Sequence, residues 1–224
     1  TYHMNNFVHL HNHSTFSFGD GISQIPNMVK RAKELNMNAL ALTDHGYGHG
    51  LIEFHSECKA NGIKPILGCE MYVAPYGVKY TEKTLINRSA NHLVLLAKNK
   101  IGYKNLIKLL SIAATDGFYF KPKIDFELLN QYKEGLICST ACLAGPVAVN
   151  LYDSNKAKVD LLQAKKVLYD LKNIFNEDLY LEIQFHGMKP KDGQLLDMQS
   201  QLMVNAIKIS EECGVQLVAT NDCH

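Results

Sequence analysis

Short apolar, β-rich runs alternate with amphipathic helical patterns along the chain, and this alternation constrains the fold more than any other feature. The runs are Phe7 to His13, Ala39 to Thr43, Pro65 to Val73, Leu93 to Ala97, Leu136 to Ser139, Leu179 to Gln184 and Gln216 to Thr220. Between them, Ile25 to Leu35, Leu51 to Ala60, Tyr103 to Ala114, Ala157 to Phe175 and Leu196 to Cys213 place apolar residues at three-and-four spacing. Such units predict an α/β fold with a parallel sheet and helices outside, because a parallel pair needs a crossover connection. Polar residues fall at the ends of all seven runs, whereas an open sheet gathers its ligands at one switch point. A closed or nearly closed barrel is therefore favoured over a doubly wound sheet. Ala74 to Asn91 and Gly117 to Lys123 read as loops.

A chain of 224 residues with 46% hydrophobic content can bury one full core, so a single domain over 4–224 is expected. Thr1, Tyr2 and His3 precede a plausible native Met4 and are set aside as a foreign remnant. No apolar run approaches the roughly eighteen residues that span a bilayer, and the amino end lacks a secretory layout, so no membrane partner and a cytoplasmic location are expected. Six scattered cysteines with no CxxC pair point to reduced thiols or an occasional metal ligand rather than disulfides. Lys plus Arg is 23 and Asp plus Glu 22, which gives no bulk electrostatic case for nucleic acid. Locally the balance differs: Lys79 to Lys123 holds nine Lys or Arg against two acids, a net of +7 within a chain of +1. That run suits either a polyanionic substrate or a solvated helix face.

The chemistry gathers at the run ends. His9, His11 and His13 alternate along the first run, so they are expected on one face. Asp44-His45-Gly46 closes the second run, Gly68-Cys69-Glu70 lies in the third, and His92 opens the fourth. Cys142 follows the fifth, and Asn221-Asp222-Cys223-His224 ends the seventh. Mixed imidazole, carboxylate and thiolate sets suit zinc, or manganese and iron with fewer sulfur ligands. A purely structural network of His–carboxylate pairs is the alternative, but Glu70 and Asp222 sit in apolar runs where an unpaired carboxylate is costly, and divalent metals would compensate both. A metal cluster of this kind fits phosphate-ester hydrolysis. There is no G-x-S-x-G elbow, Walker loop or dinucleotide fingerprint to point elsewhere.

His11-Asn12-His13-Ser14, Thr43-Asp44-His45-Gly46, Gly68-Cys69-Glu70, His92 before Leu93 to Asn99, and Asn221 to His224 together resemble the PHP superfamily. Gly117-Phe118-Tyr119-Phe120-Lys121-Pro122 and Leu143-Ala144-Gly145 resemble specifically the PHP domains of bacterial DNA polymerase III alpha subunits of the DnaE type. The resemblance implies a distorted seven-stranded (β/α)7 TIM-like barrel binding two or three divalent metals, zinc, manganese or iron. It places His11, His13, Glu70 and Asp222 on one metal, has Glu70 bridge to a second completed by His92 and Cys142, and puts Asp20, His45 and His224 on a third. Cys142 and Asp20 depart from the histidines usual in stand-alone PHP phosphatases. Glu70, Asp222 and His13 are the expected catalytic residues, with His9, His186, Lys121 and Lys123 as supporting or substrate-contacting ones. His49 is read as facing solvent. The implied activity is 3'-5' exonuclease work on single-stranded DNA ends or primer-template, with the rest of the polymerase alpha subunit as partner. Polymerisation is not expected here, since the polymerases it resembles continue far beyond the position matching His224. A scaffold domain without turnover and a histidinol-phosphatase-like monoesterase are the other two readings.

Overall fold

The computed structural model describes residues 7–154, 158–190 and 196–224, so the segment set aside at the amino end and Ala157 lie outside it. Among the described residues six α-helices form: α1 (Ile25–Glu34), α2 (Leu51–Asn61), α3 (Lys100–Thr115), α4 (Phe126–Gln131), α5 (Leu161–Phe175) and α6 (Met198–Cys213). Eight strands form: β1 (Ala39–Leu42), β2 (Lys64–Val73), β3 (Asn91–Ala97), β4 (Phe118–Tyr119), β5 (Lys121–Ile124), β6 (Leu136–Ser139), β7 (Leu179–Gln184) and β8 (Gln216–Thr220). Helix starts follow local chemistry: Asn99, Asp125, Asp160 and Asp197 each accept a backbone N–H of the first turn of α3, α4, α5 and α6. No helix among the described residues is long and apolar enough to cross a membrane.

The sheet is mixed, which corrects the parallel sheet expected from the alternation. β1 and β5 pair with β2, and β7 with both β6 and β8, in parallel, whereas β3 runs antiparallel to its neighbours β2 and β6. The ten residues of β2 allow it to meet β1 through Lys64 to Leu67, β3 through Gly68 to Val73 and β5 through Tyr72 and Val73. A second correction concerns Gly117 to Lys123, which is a hairpin of β4 and β5 rather than a loop, held by Phe118–Pro122 and Tyr119–Lys121 pairing.

Phe7 to His13 forms no ladder. It is held by separate bonds on two sides, the amides of Ala41 and Thr43 donating to His9 and Asn12 carbonyls, and the Cys223 amide donating to the His11 carbonyl. One segment thus touches both β1 and the chain end after β8, which curls the sheet into a half-barrel. The main core, including Met71, Leu93, Leu95, Leu106, Leu109 and Leu171, packs α3, α5 and α6 onto the sheet, and Val29, Leu42 and Phe54 seat α1 and α2. These apolar layers leave the strand-end rim free to carry polar groups.

Candidate metal centre

The antiparallel course of β3 decides the geometry of the site. His92 opens β3 opposite Tyr72 near the end of β2, so it reaches the same rim as residues that close parallel strands. Glu70, in β2 and only 1% exposed, is the centre of that rim. Its Oε1 lies 3.0 Å from His92 Nδ1, 3.4 Å from His11 Nε2 and 3.7 Å from Cys142 Sγ. Its Oε2 lies 2.5 Å from His45 Nδ1 and 3.5 Å from His13 Nε2. The two oxygens therefore face different ligand sets. Asp222, turned into the rim by a left-handed backbone (φ 49), places Oδ1 3.1 Å from His11 Nε2 and 3.2 Å from His13 Nε2. At the exposed edge, Asp20 Oδ2 is 3.3 Å from His45 Nε2 and 3.8 Å from His224 Nε2, and the His224 ring stacks on His13. All nine residues expected as ligands are brought together.

The surroundings fix which nitrogen of each inner histidine is available. His11 Nδ1 sits 2.7 Å from Glu182 Oε1, and an ionised carboxylate only accepts, so Nδ1 carries a hydrogen and Nε2 is the nitrogen turned to Glu70 and Asp222. Ser17 Oγ donates its one hydrogen to Asp44 and accepts from the His45 amide, so at 2.8 Å it also accepts from His13 Nδ1, again leaving Nε2 free. Asp44 further accepts from the Ser14 amide and hydroxyl, which ties the segment after His13 to the end of β1. Gly46, at φ +62, turns the chain beside His45 where a Cβ would stand 2.6 Å from the Tyr72 ring.

Sequence reasoning missed Glu182 and Ser17 as parts of the centre, and named Asp44 among the strand-end residues without a role. Glu182 is 2% exposed and also accepts from Ser139, Thr220 and Gln184. Its signal was the one that singled out Glu70, an acid inside an apolar strand. Of the four supporting residues, His9 and Lys123 fall differently from expectation. His9 sits apart from His11 and His13, its ring against Phe7 and near Cys223, because the segment is not a regular strand. Lys123 is buried and turns back to donate to the Tyr119 and Lys121 carbonyls, bracing the hairpin instead of facing a substrate. His186 is pinned by Gln199 and by the Asn221 carbonyl, so it buttresses the turn that carries Asp222. Lys121 reaches the rim through Tyr72, whose hydroxyl accepts from its ammonium at 3.2 Å. His49 is exposed and stacks on Tyr47.

The electrostatics call for cations. Burial works against the Glu70 carboxylate, yet His11, His45 and His92 hold its pKa well below the usual range. Burial likewise opposes charge on His11, and Glu182 and Glu70 together push it well above its ordinary value. The Cys142 thiol is pushed up by burial, with Glu70 and Asp222 adding to the shift, so a thiolate there needs a cation beside it. His11 Nε2, His13 Nε2, His45 Nδ1, Glu70 Oε2 and Asp222 Oδ1 are all buried and make no well-directed hydrogen bond, although they face one another at 2.5–3.5 Å. Buried polar atoms are rarely left so, and here they converge on one another. Three sets lie within metal-ligating reach: His11, His13 and Glu70; His45, Glu70 and His92; and His13, His45 and His224. The donor chemistry fits divalent metal.

A histidine and carboxylate cluster that could hold metal, on the rim of a curled α/β sheet, defines a PHP-type domain, and the PHP domain family model matches residues 9–186; the chain belongs to that family. It is similar to the DNA polymerase III alpha subunits of Borreliella burgdorferi, 42% identical over 220 residues, and of Chlamydia trachomatis, 41% identical over 231 residues. In both, 97% of this chain is matched, and the chain spans only 18% of the relative's length. Among solved structures, a protein from Bifidobacterium adolescentis described as a metal-dependent phosphoesterase superposes with a TM-score of 0.61 at 14% identity, covering 98% of this chain and 88% of the other. An amidohydrolase from Chromobacterium violaceum superposes with a TM-score of 0.57 at 14% identity, covering 97% and 87%. These two likenesses speak for the fold.

Proposed function

We propose that the chain is a metal-dependent phosphodiesterase domain of a DNA polymerase III alpha subunit, removing nucleotides from a 3' end. The observation that carries this reading is the convergence of five buried ligand atoms, from His11, His13, His45, Glu70 and Asp222, that face one another without a well-directed hydrogen bond. His11, His13, Glu70 and Asp222 would hold one metal, Glu70 with His92 and Cys142 a second, and Asp20, His45 and His224 a third. Zinc, manganese or iron suits such mixed sets. When bound, divalent metal acidifies water and offsets charge on phosphoryl oxygens, as phosphodiester cleavage requires.

The protein's own groups supply orientation. Glu70 lies between the ligand sets, with Oε1 beside His11, His92 and Cys142 and Oε2 beside His13 and His45, which fixes the spacing between them. Glu182 and Ser17 hold His11 and His13 in the tautomers that present Nε2 to the centre. Lys121, at the rim, is the cation nearest a substrate phosphate that approaches past Tyr72.

Elemental analysis after preparation without chelator, followed by incubation of an end-labelled single strand with manganese or zinc, tests the assignment. Bound metal and progressive shortening from the 3' end are expected. No metal even after reconstitution would overturn the centre. Metal without turnover would make the domain a scaffold, and cleavage of monoesters alone would make it a phosphatase.

A further inference from the structure

We infer that the β4–β5 hairpin is a stacking platform for single-stranded nucleic acid, leading a polynucleotide past Lys121 toward the histidine cluster. The direction of the strand rests on the phosphodiesterase reading above; the binding does not.

Three observations point to the hairpin. Phe118 and Phe120 are 52% and 56% exposed. Phe120 alone connects the paired Tyr119 and Lys121, and it does so in the left-handed region at φ 63. A bulky side chain there is strained where glycine or asparagine would not be, and an exposed ring recovers little of that cost through burial. Such strain without a folding return marks a functional position. The hairpin is also rigid, because Lys123 donates from beneath to the carbonyls of Tyr119 and Lys121.

Cations interleave with these rings. The Arg88 guanidinium stands 4.6 Å over the Phe120 ring, and the Tyr119 ring meets Phe120 edge-on at 4.8 Å. Lys121 Nζ lies 4.8 Å over Tyr72, whose own ring packs against His92 at 5.2 Å and His45 at 5.9 Å. A row therefore runs from exposed Phe120 through Lys121 and Tyr72 to the ligands around Glu70. Arg88, Phe118, Phe120 and Lys121 come from the segment Lys79 to Lys123, which carries a net +7. The exposed rings of Phe118 and Phe120, set beside Arg88 and Lys121, match an unpaired strand, which offers a flat base and a phosphate at each step. A duplex keeps its base faces covered, and an acidic peptide supplies charge without flat faces.

The test separates binding from cleavage. Anisotropy of a fluorescent oligothymidylate of about twelve residues, measured with chelator present, is compared with a duplex of equal length. Hydrolysis of bis(4-nitrophenyl) phosphate is measured separately with manganese. Single strand should bind more tightly than duplex. Phe118→Leu with Phe120→Leu should weaken single-strand binding by about tenfold or more per ring removed, with hydrolysis of the small diester unchanged. Arg88→Ala should weaken binding and flatten its salt dependence. Phe120→Gly should lose one ring's share of that binding while raising the urea midpoint, which rules out misfolding as the cause. Equal binding by the leucine variants and the parent, or equal affinity for duplex, would overturn the platform and make the patch a protein-covered surface. Failure of small-diester hydrolysis alongside ring-dependent strand binding would sink the phosphodiesterase reading and leave the platform standing.

Discussion

Glu182 Oε1 and His11 Nδ1 lie 2.7 Å apart at the inner end of the metal centre, so a buried acid that touches no other ligand sets which face of His11 is offered to the cluster. Ser139, Thr220 and Gln184 hold the acid in turn. Glu182→Gln replaces an obligate acceptor with a group that can present either end, so the tautomer of His11 is no longer enforced. Metal affinity should fall by roughly 10- to 100-fold, as read by competition with a chromogenic chelator, with the far-ultraviolet circular dichroism retained. Unchanged affinity would mean that Glu182 only fills space.

Metal uptake should release protons. In the metal-free protein the pKa of His11 is raised by Glu182 and Glu70 against the opposing effect of burial, and that of His45 is raised in the same sense by Glu70 and Asp20. Burial instead lowers His13, so it offers less competition. A raised pKa means that a proton occupies a ligand nitrogen at pH values where a free histidine would be neutral, and metal must displace it. Apparent affinity should therefore fall as pH drops, with release of at least about one proton near neutral pH. Calorimetry in two buffers of different ionisation enthalpy reads this directly, and identical heats in both would count against it.

Ser17 is a load shared by three groups: it donates to Asp44 and accepts from His13 and the His45 amide. Ser17→Ala leaves two buried donors without an acceptor. The metal-free protein should lose about 1–3 kcal/mol of stability in urea, with a larger relative loss of metal affinity than a surface serine substitution produces. A loss of metal affinity with no shift in the urea midpoint would show that solvent replaces the hydroxyl.

Much of the fold was legible because β1, β2, β6, β7 and β8 are apolar runs recognisable without tertiary information. The direction of β3 was not, since the run from Leu93 to Ala97 says nothing of polarity. The signal lay in its connection: Ala74 to Asn91 carries no helical pattern, and a parallel neighbour would need a crossover. That same direction explains why His92, at the start of a strand, joins residues at the ends of others. β4 and β5 have two and four residues, too short for periodicity, and are defined by pairing with each other and with β2. The ligands themselves were readable as imidazole and carboxylate pairs at run ends. The residues that orient them were not, because serine, threonine and glutamine acquire roles only through contacts distant in sequence, as Ser139 and Thr220 do at Glu182.

The two sides of Glu70 give the sharpest prediction. One oxygen faces His11, His92 and Cys142, the other His13 and His45, so the carboxylate belongs to more than one ligand set, whereas Cys142 approaches Glu70 and His92 from one side only. Glu70→Gln removes the negative charge and turns one of the two positions into a donor, which faces imidazole nitrogens that must themselves be free to bind. Cys142→His exchanges one neutral or metal-bound ligand for another of the same function at the edge of the set. Glu70→Gln should abolish phosphodiester cleavage by orders of magnitude and lower metal content, while Cys142→His should keep metal and part of the activity. Both are measured on a single-stranded DNA substrate with manganese or zinc, with metal content determined in parallel. Equal losses in the two variants would remove Glu70 from its bridging position and reduce it to one ligand among nine.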